Sequence, residues 1–253
     1  MTKRRFDDLK EPTELVNWIK RYFQKNGPTS KAVIGISGGK DSSVVAALCV
    51  KALGADRVIG VLMPNGDEKD IADSKQLVEF LGIQNFTVNI YEATTGLYDG
   101  LAAAGIDHTD PRIMTNTPAR MRMATLYAVA AAVGGRVANT CNRSEDYVGY
   151  ATKYGDGAGD FSPLANLTVR EVIKIGEMLG LPANLVHKTP DDGMCGKTDE
   201  DNLGFTYATL DAFLLDGILP DYETFCKIEE MHLRNTHKLK LMPSYKSIES
   251  WAF

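Results

Sequence analysis

Apolar positions along the chain fall into two alternating periods. Leu15, Trp18, Ile19, Tyr22 and Phe23 recur at helical spacing behind Pro12 and Thr13, which suit a first turn, and Gly27-Pro28 ends that helix. Ala32 to Ile36 is a short β-branched apolar run between turn residues and reads as a buried strand. Ser43 to Leu53 follows as a helix ending at Gly54, and Arg57 to Leu62 as a second strand closed by Met63-Pro64-Asn65-Gly66. The pattern then predicts a helix from about Lys69 to Leu81, stopped by Gly82, and a third strand over Phe86 to Ile90. Asn116 to Val133 is the longest helical stretch, broken by Gly134-Gly135, and Val137-Ala138 forms the core of a fourth strand. Thr168 to Leu179, roughly Phe205 to Asp216, and Tyr222 to Asn235 complete the helices.

Such alternation predicts an α/β fold: a doubly wound parallel sheet with right-handed crossovers and helices on both faces. No repeat or linker interrupts it, so residues 1–253 are expected to form a single domain. Two stretches carry neither period, the glycine-rich Tyr150 to Asp160 and the polar Lys188 to Asp201. Long polar loops in a compact α/β domain usually serve function. The second is expected to act as a lid, mobile without ligands and ordered over bound substrates.

Composition narrows the class. With 44% hydrophobic and 24% charged residues the chain can bury the core of an ordinary soluble enzyme. A formal net charge of −5 argues against broad nucleic-acid binding. Met1 to Glu11 lacks the apolar core of a signal peptide, and the longest apolar run, Met123 to Val133, is too short to span a bilayer. A cytoplasmic location, with neither membrane nor nucleic acid as partner, is therefore expected. Cys49, Cys141, Cys195 and Cys226 form no CxxC pair and no zinc spacing with the dispersed His108, His187, His232 and His237. Reduced thiols are the reading.

The most informative string is Ser37-Gly38-Gly39-Lys40-Asp41-Ser42, between the first strand and its helix. Two glycines let backbone approach a phosphate, and the helix start offers unpaired N–H groups and a positive dipole end. Ser37, Ser42 and Ser43 add hydroxyl donors, and Lys40 is a candidate phosphate contact. Asp41 makes sense beside phosphates only with a divalent cation. The string is neither a Walker loop nor a dinucleotide fingerprint.

It is similar to the SGGxDS motif of the ATP pyrophosphatase superfamily, whose members cleave ATP to AMP and pyrophosphate. Further strings select within that group. Asn116-Thr117-Pro118-Ala119-Arg120-Met121-Arg122, Thr140-Cys141-Asn142-Arg143-Ser144-Glu145, Thr152 to Asp160 (TKYGDGAGD) and His237-Lys238 all resemble elements of ammonia-dependent NAD synthetases. The resemblance runs from Ser37 to about Lys238. It implies an adenine nucleotide alpha hydrolase-like fold and a ligase that amidates deamido-NAD with ammonia and ATP through an adenylated carboxylate.

By position, it implies that Ser37, Gly38, Gly39, Lys40, Asp41 and Ser42 hold the ATP phosphates, with Thr140 also contacting ATP. Asp41 and Glu145 would bind Mg2+. Arg120, Lys153, Asp160, His237 and Lys238 would contact deamido-NAD, the last two from a partner subunit of an expected homodimer. Asp41, Lys40 and Asp160 are the candidate catalytic residues, Asp160 as a group that positions or deprotonates ammonium. Three positions depart from the pattern. Val169 stands where many relatives carry an ATP-contacting Lys, and Asn139 where Gly is usual. At Asp191 a hydroxyl contact to ATP or metal is either taken over by a carboxylate or lost. The rival readings are another ATP pyrophosphatase, such as a GMP synthetase-like or RNA-thiolating enzyme, and a non-catalytic nucleotide-binding module. Retention of both Asp41 and Glu145 argues against the last.

Overall fold

The structure, a computed structural model, describes residues 6–7, 10–67, 71–188 and 198–245. Its centre is a parallel sheet of β1 (Lys31–Gly35), β2 (Val58–Leu62), β3 (Gln84–Thr87) and β4 (Gly135–Val137), in the order β3-β2-β1-β4. Side chains alternate across the pleat. Ala32, Ile34, Val58 and Leu62 pack on one face against Ile19 and Phe23 of α1 (Glu11–Asn26), with α2 (Lys40–Leu53) beside it. Val33, Ile59, Val61 and Val137 pack on the other against Met123, Leu126 and Ala130. Burial on both sides is why β1 reads as an unbroken apolar run. The doubly wound α/β fold is therefore as the pattern predicts.

Strand order reverses beside β1. The chain passes from β1 to β2 through α2, then to β3 through α3 (Ile71–Leu81), and returns to pair β4 on the opposite side of β1. Ligands of such sheets bind beyond the strands' carboxyl ends at that reversal. The outer edge of β4 is covered by Asp160 and Phe161, whose backbones continue the pairing through Val137 and Asn139, each at 2.8 Å.

Some elements differ from expectation. Tyr91–Ala103 is a helix, α4, that carries Gly96 and Gly100 and buries only Thr94 among its residues, so no apolar stripe marks it. The long helix, α5, starts at Pro111 and not at Asn116, because Asp110 caps it by accepting the Arg112 N–H at 2.8 Å. It then runs through Pro118, whose missing N–H leaves the Met114 carbonyl without its helical donor. The Tyr98 hydroxyl of α4 donates to that carbonyl at 3.4 Å instead. Expected strand Phe86 to Ile90 is displaced to Gln84–Thr87, an exposed and polar edge strand.

Below the sheet, α6 (Arg143–Val148), α7 (Val169–Met178), α8 (Ala183–Val186), α9 (Asp199–Leu203), α10 (Tyr207–Asp211) and α11 (Tyr222–Asn235) follow β4. Val148, Val169, Leu203, Phe205, Tyr207, Leu210 and Ile228 make a separate core there. Ile173 of α7 packs against both this core and the sheet's. Helix α9 falls in the expected lid, capped by Thr198 with Asp199 buried, so the polar stretch does not extend through residue 201 as loop. Most of that stretch, Asp191 and Cys195 included, lies outside the described residues. Among the described residues no helix is long and apolar enough to cross a membrane.

Candidate active site

The turn after β1 is shaped by Gly38. Its φ of +76° is open to glycine, and a Cβ there would stand 2.6 Å from the Asp73 Cβ and 2.9 Å from the Ser74 backbone nitrogen. The turn therefore lies directly on the start of α3, where the Ser74 hydroxyl also donates to the Ile36 carbonyl at 3.0 Å. Helix α2 begins at Gly39 with no side-chain cap. By contrast α5, α6, α9, α10 and α11 are capped by their own Asp110, Asn142, Thr198, Thr206 and Asp221. An uncapped N-terminus beyond a parallel strand is an anion site.

Of the serines expected there, Ser37 and Ser42 share a hydroxyl contact at 3.1 Å and edge the turn. Ser43 is fully buried and donates to the Gly39 carbonyl at 2.7 Å, bracing the first helical turn from within. Lys40 is also buried, 4% exposed, and its Nζ donates to Asp41 Oδ2 at 2.8 Å. Burial opposes its charge, but Asp41 and Glu145 outweigh that and hold the ammonium above its ordinary pKa. It stands under the turn as the counterion of Asp41.

Asp41 and Glu145 come together through a residue that the motif reading left without a role. Asn142 is fully buried and caps α6, accepting the N–H groups of Ser144 at 3.0 Å and Glu145 at 3.1 Å. Its Nδ2 donates across the strand gap to Asp41 Oδ1 at 3.0 Å, while its own N–H donates to Glu145 Oε2 at 3.1 Å. The arrangement is a capping box, and the spacing Asn142-x-x-Glu145 was the legible signal for it. One asparagine, through its side-chain and backbone amides, thus ties the carboxylate after β1 to the carboxylate after β4. Burial, and then the charge of Asp41, raise the Glu145 carboxyl well above the usual range. Two hard oxygen donors brought together in this way fit Mg2+, which binds through one or two carboxylates plus substrate phosphates. Among the described residues no group of three or more His, Cys, Asp or Glu could hold a metal ion.

Helix α6 is itself fixed from below. Ser144 donates to Asp211 Oδ1 at 2.5 Å, and Asp211 Oδ2 accepts the Arg170 N–H at 2.7 Å. The Ser144 oxygen meanwhile accepts the Val169 N–H at 3.1 Å. A carboxylate 1% exposed thereby joins α6, α7 and α10. Asp211→Ala would leave the Ser144 hydroxyl and a first-turn N–H of α7 without their acceptor. Unfolding free energy from urea titration is expected to drop by about 2–4 kcal/mol. A drop under about 0.5 kcal/mol would show that this carboxylate is no strut.

The residues expected to meet deamido-NAD gather in one chain, with one exception. Arg120 Nε donates to the Lys153 carbonyl at 3.3 Å, and Lys153 Nζ to the His237 carbonyl at 2.9 Å. Lys238 Nζ donates to the carbonyls of Gly149 at 2.7 Å and Ala151 at 3.0 Å. Asn116 accepts the Thr152 hydroxyl at 2.8 Å, anchoring the same loop to α5. Asp160 is apart from these. Its carboxylate accepts the Val137 N–H at 2.7 Å and the Tyr127 hydroxyl at 3.3 Å on the outer edge of β4. Thr140 is half-buried between Asn139 and Cys141, just past β4. Asn139, where glycine is usual, does structural duty: its Nδ2 donates to the Asp156 and Ala158 carbonyls at 2.8 and 3.1 Å.

At the departing Val169 the side chain is buried, 7% exposed, and the adjacent Arg170 points away to Asp216 at 3.0 Å. Neither offers a cation to the turn. The thiols described are equally remote from chemistry: burial pushes Cys49 up to about 12, and burial with nearby carboxylates raises Cys141 well above its usual value. Cys226 is exposed on α11. An open depression of about 410 Å³, lined by Pro64, Gly66, Asp67, Ile71, Lys75 and Thr87, lies beyond the ends of β2 and β3.

Known proteins share this arrangement. Residues 11–246 match the family model described as NAD synthase. An NH(3)-dependent NAD(+) synthetase of Pyrococcus furiosus is 41% identical over 212 residues, covering 83% of this chain and 79% of the relative. Among solved structures, an NMN synthetase from Francisella tularensis superposes with TM-score 0.86 at 37% identity, covering 96% of this chain and 100% of that one. An NAD+ synthetase from Burkholderia pseudomallei superposes with TM-score 0.77 at 32% identity, covering 93% and 91%. With the match spanning both the phosphate turn and the carboxylate pair, the chain belongs to the NAD synthase family.

Proposed function

We propose that this chain joins ammonia to the pyridine carboxylate of deamido-NAD, cleaving ATP to AMP and pyrophosphate. The observation that carries the reading is the Asp41–Asn142–Glu145 linkage at the mouth of an uncapped helix start. The turn at Ser37–Ser42 and the N–H groups opening α2 bind the triphosphate, and Lys40 keeps Asp41 in place beneath it. Asp41 and Glu145 would hold a magnesium ion, which would supply positive charge against the phosphates and the leaving pyrophosphate. Arg120, Lys153, His237 and Lys238 orient the second substrate around the loop that joins them. The pyridine carboxylate attacks the α-phosphorus and pyrophosphate leaves. Ammonia then attacks the carbonyl carbon of the mixed anhydride, AMP leaves, and the nitrogen sheds a proton. No enzyme nucleophile enters, which agrees with the raised thiols. For Asp160, the bonds to Val137 and Tyr127 support holding the substrate loop against β4 more than touching the reacting atoms.

The same reading takes the chain as one domain, a homodimer and a cytoplasmic enzyme. Packing of Ile173 against both cores supports the first.

Purified protein is expected to make NAD from deamido-NAD, ATP, magnesium and ammonium, with AMP and pyrophosphate in equal amounts. Glutamine free of ammonium should not replace ammonium in this chain alone. Comparable rates with glutamine would overturn the donor assignment, and ADP as product would overturn adenylation.

A second reading is favoured by the TM-score of 0.86 to the NMN synthetase. The acceptor would then be the mononucleotide carboxylate, which lacks the AMP half. Comparing kcat/KM for the dinucleotide and the mononucleotide decides between them.

A further inference from the structure

Tyr207 opens α10, with its N–H donating to Glu200 Oε1 at 2.8 Å and its ring within the lower core. The residue is 3% exposed, and its hydroxyl is fully enclosed with no hydrogen-bond partner among the described residues. Other phenols in the chain do not behave this way. Tyr22 and Tyr98 donate to backbone carbonyls, and Tyr127 and Tyr147 to carboxylates. A buried hydroxyl left unpaired is costly, and phenylalanine would fill the same space without that cost.

The surroundings say what the hydroxyl is for. Lys40 Nζ lies 5.8 Å from the centre of the Tyr207 ring, so the tyrosine stands beside the buried ammonium that pairs with Asp41. Glu145, Asp199 and Asp41 bear on it electrostatically and, after burial, keep the phenol protonated. It is a neutral donor beside the charged groups of the site. An anion approaching Asp41 and Glu145 meets like charge, and a neutral O–H binds it without adding more.

We propose that Tyr207 is an ATP-contacting residue whose hydroxyl donates a hydrogen bond to a phosphate oxygen of the bound nucleotide. The inference rests on the reading of the Ser37–Ser42 turn as the ATP site. It adds a contact from α10, an element outside every motif that drew attention to that site.

The test is Tyr207→Phe in the full chain, with melting temperature measured without ligands and ATP affinity measured by calorimetry with magnesium. Because the hydroxyl has no partner among the described residues, the ligand-free variant should melt no lower than the wild type. ATP affinity should fall about tenfold or more, the ordinary loss for a hydrogen bond to a charged group. The KM for ammonium should be unchanged. ATP affinity within twofold of wild type, a melting temperature several degrees lower, or a rise confined to the ammonium KM would each overturn the proposal. The two readings fail separately. A wild type that binds ATP but makes no amide defeats the proposed reaction while the calorimetric comparison still judges Tyr207, and a wild type that binds no ATP defeats both.

Discussion

Glu145→Gln is expected to abolish turnover without weakening the fold, and Asp41→Asn to damage both. The difference follows from their partners. Gln at 145 can still accept the Asn142 N–H, so the capping box survives, while a carboxyl that burial and Asp41 disfavour as an anion is gone. Stability should hold or rise. Asp41 has a different neighbour: Lys40, 4% exposed, with its ammonium on Oδ2 at 2.8 Å. Asparagine removes the directly hydrogen-bonded counter-charge of that buried ammonium and leaves only the more distant Glu145 and Asp199, and breaking a buried ion pair typically costs about 3–5 kcal/mol. Both variants should lower kcat by at least two to three orders of magnitude, since each removes half of the paired carboxylate charge that holds the cation. Circular dichroism melts beside a pyrophosphate-release assay separate the two effects. Near-normal activity of either variant at limiting magnesium would remove that residue from the metal pair.

Gly38→Ala is expected to have the largest combined effect among changes that alter no charge. The added methyl meets α3 at 2.6 and 2.9 Å, partly against backbone that cannot turn aside, and φ is +76°. Left-handed strain of about 1–2 kcal/mol and overpacking of about 1–3 kcal/mol both apply. The turn must lift from α3, so ATP affinity should collapse by more than about a hundredfold, together with a clear drop in melting temperature. An alanine variant that binds ATP as wild type does would show the turn to be more pliant than this contact allows.

The sheet was legible because β1 and β2 are buried on both faces and therefore print unbroken apolar runs between glycines. Helix α4 was not, since it buries so little that neither glycine nor tyrosine falls in a stripe. Helix α5 begins before the expected Asn116 and continues through Pro118, where a hydroxyl from α4 meets the carbonyl that proline leaves open. For the candidate site, motif strings pointed to the turn after β1, to Asp41 and Glu145, and to the loop at Thr152 to Asp160. They were silent on what joins these parts. Asn142 reads locally as a cap, and only the fold brings its other amide hydrogen to Asp41. Tyr207 and Asp211 were absorbed into an ordinary helical period, because periodicity reports which face is buried and not what a buried polar atom touches.

The bond between Asn142 and Asp41 spans 101 positions of sequence. Closing a loop of that size is slow and entropically costly compared with forming the β1–α2–β2 unit around the turn. On a growing or refolding chain the phosphate cradle can therefore exist well before its cation partner does. Competence arrives only when β4 docks beside β1, long after most of the helix has formed. Nucleotide capture and catalytic readiness are thus expected as separate events, divided by the docking of β4.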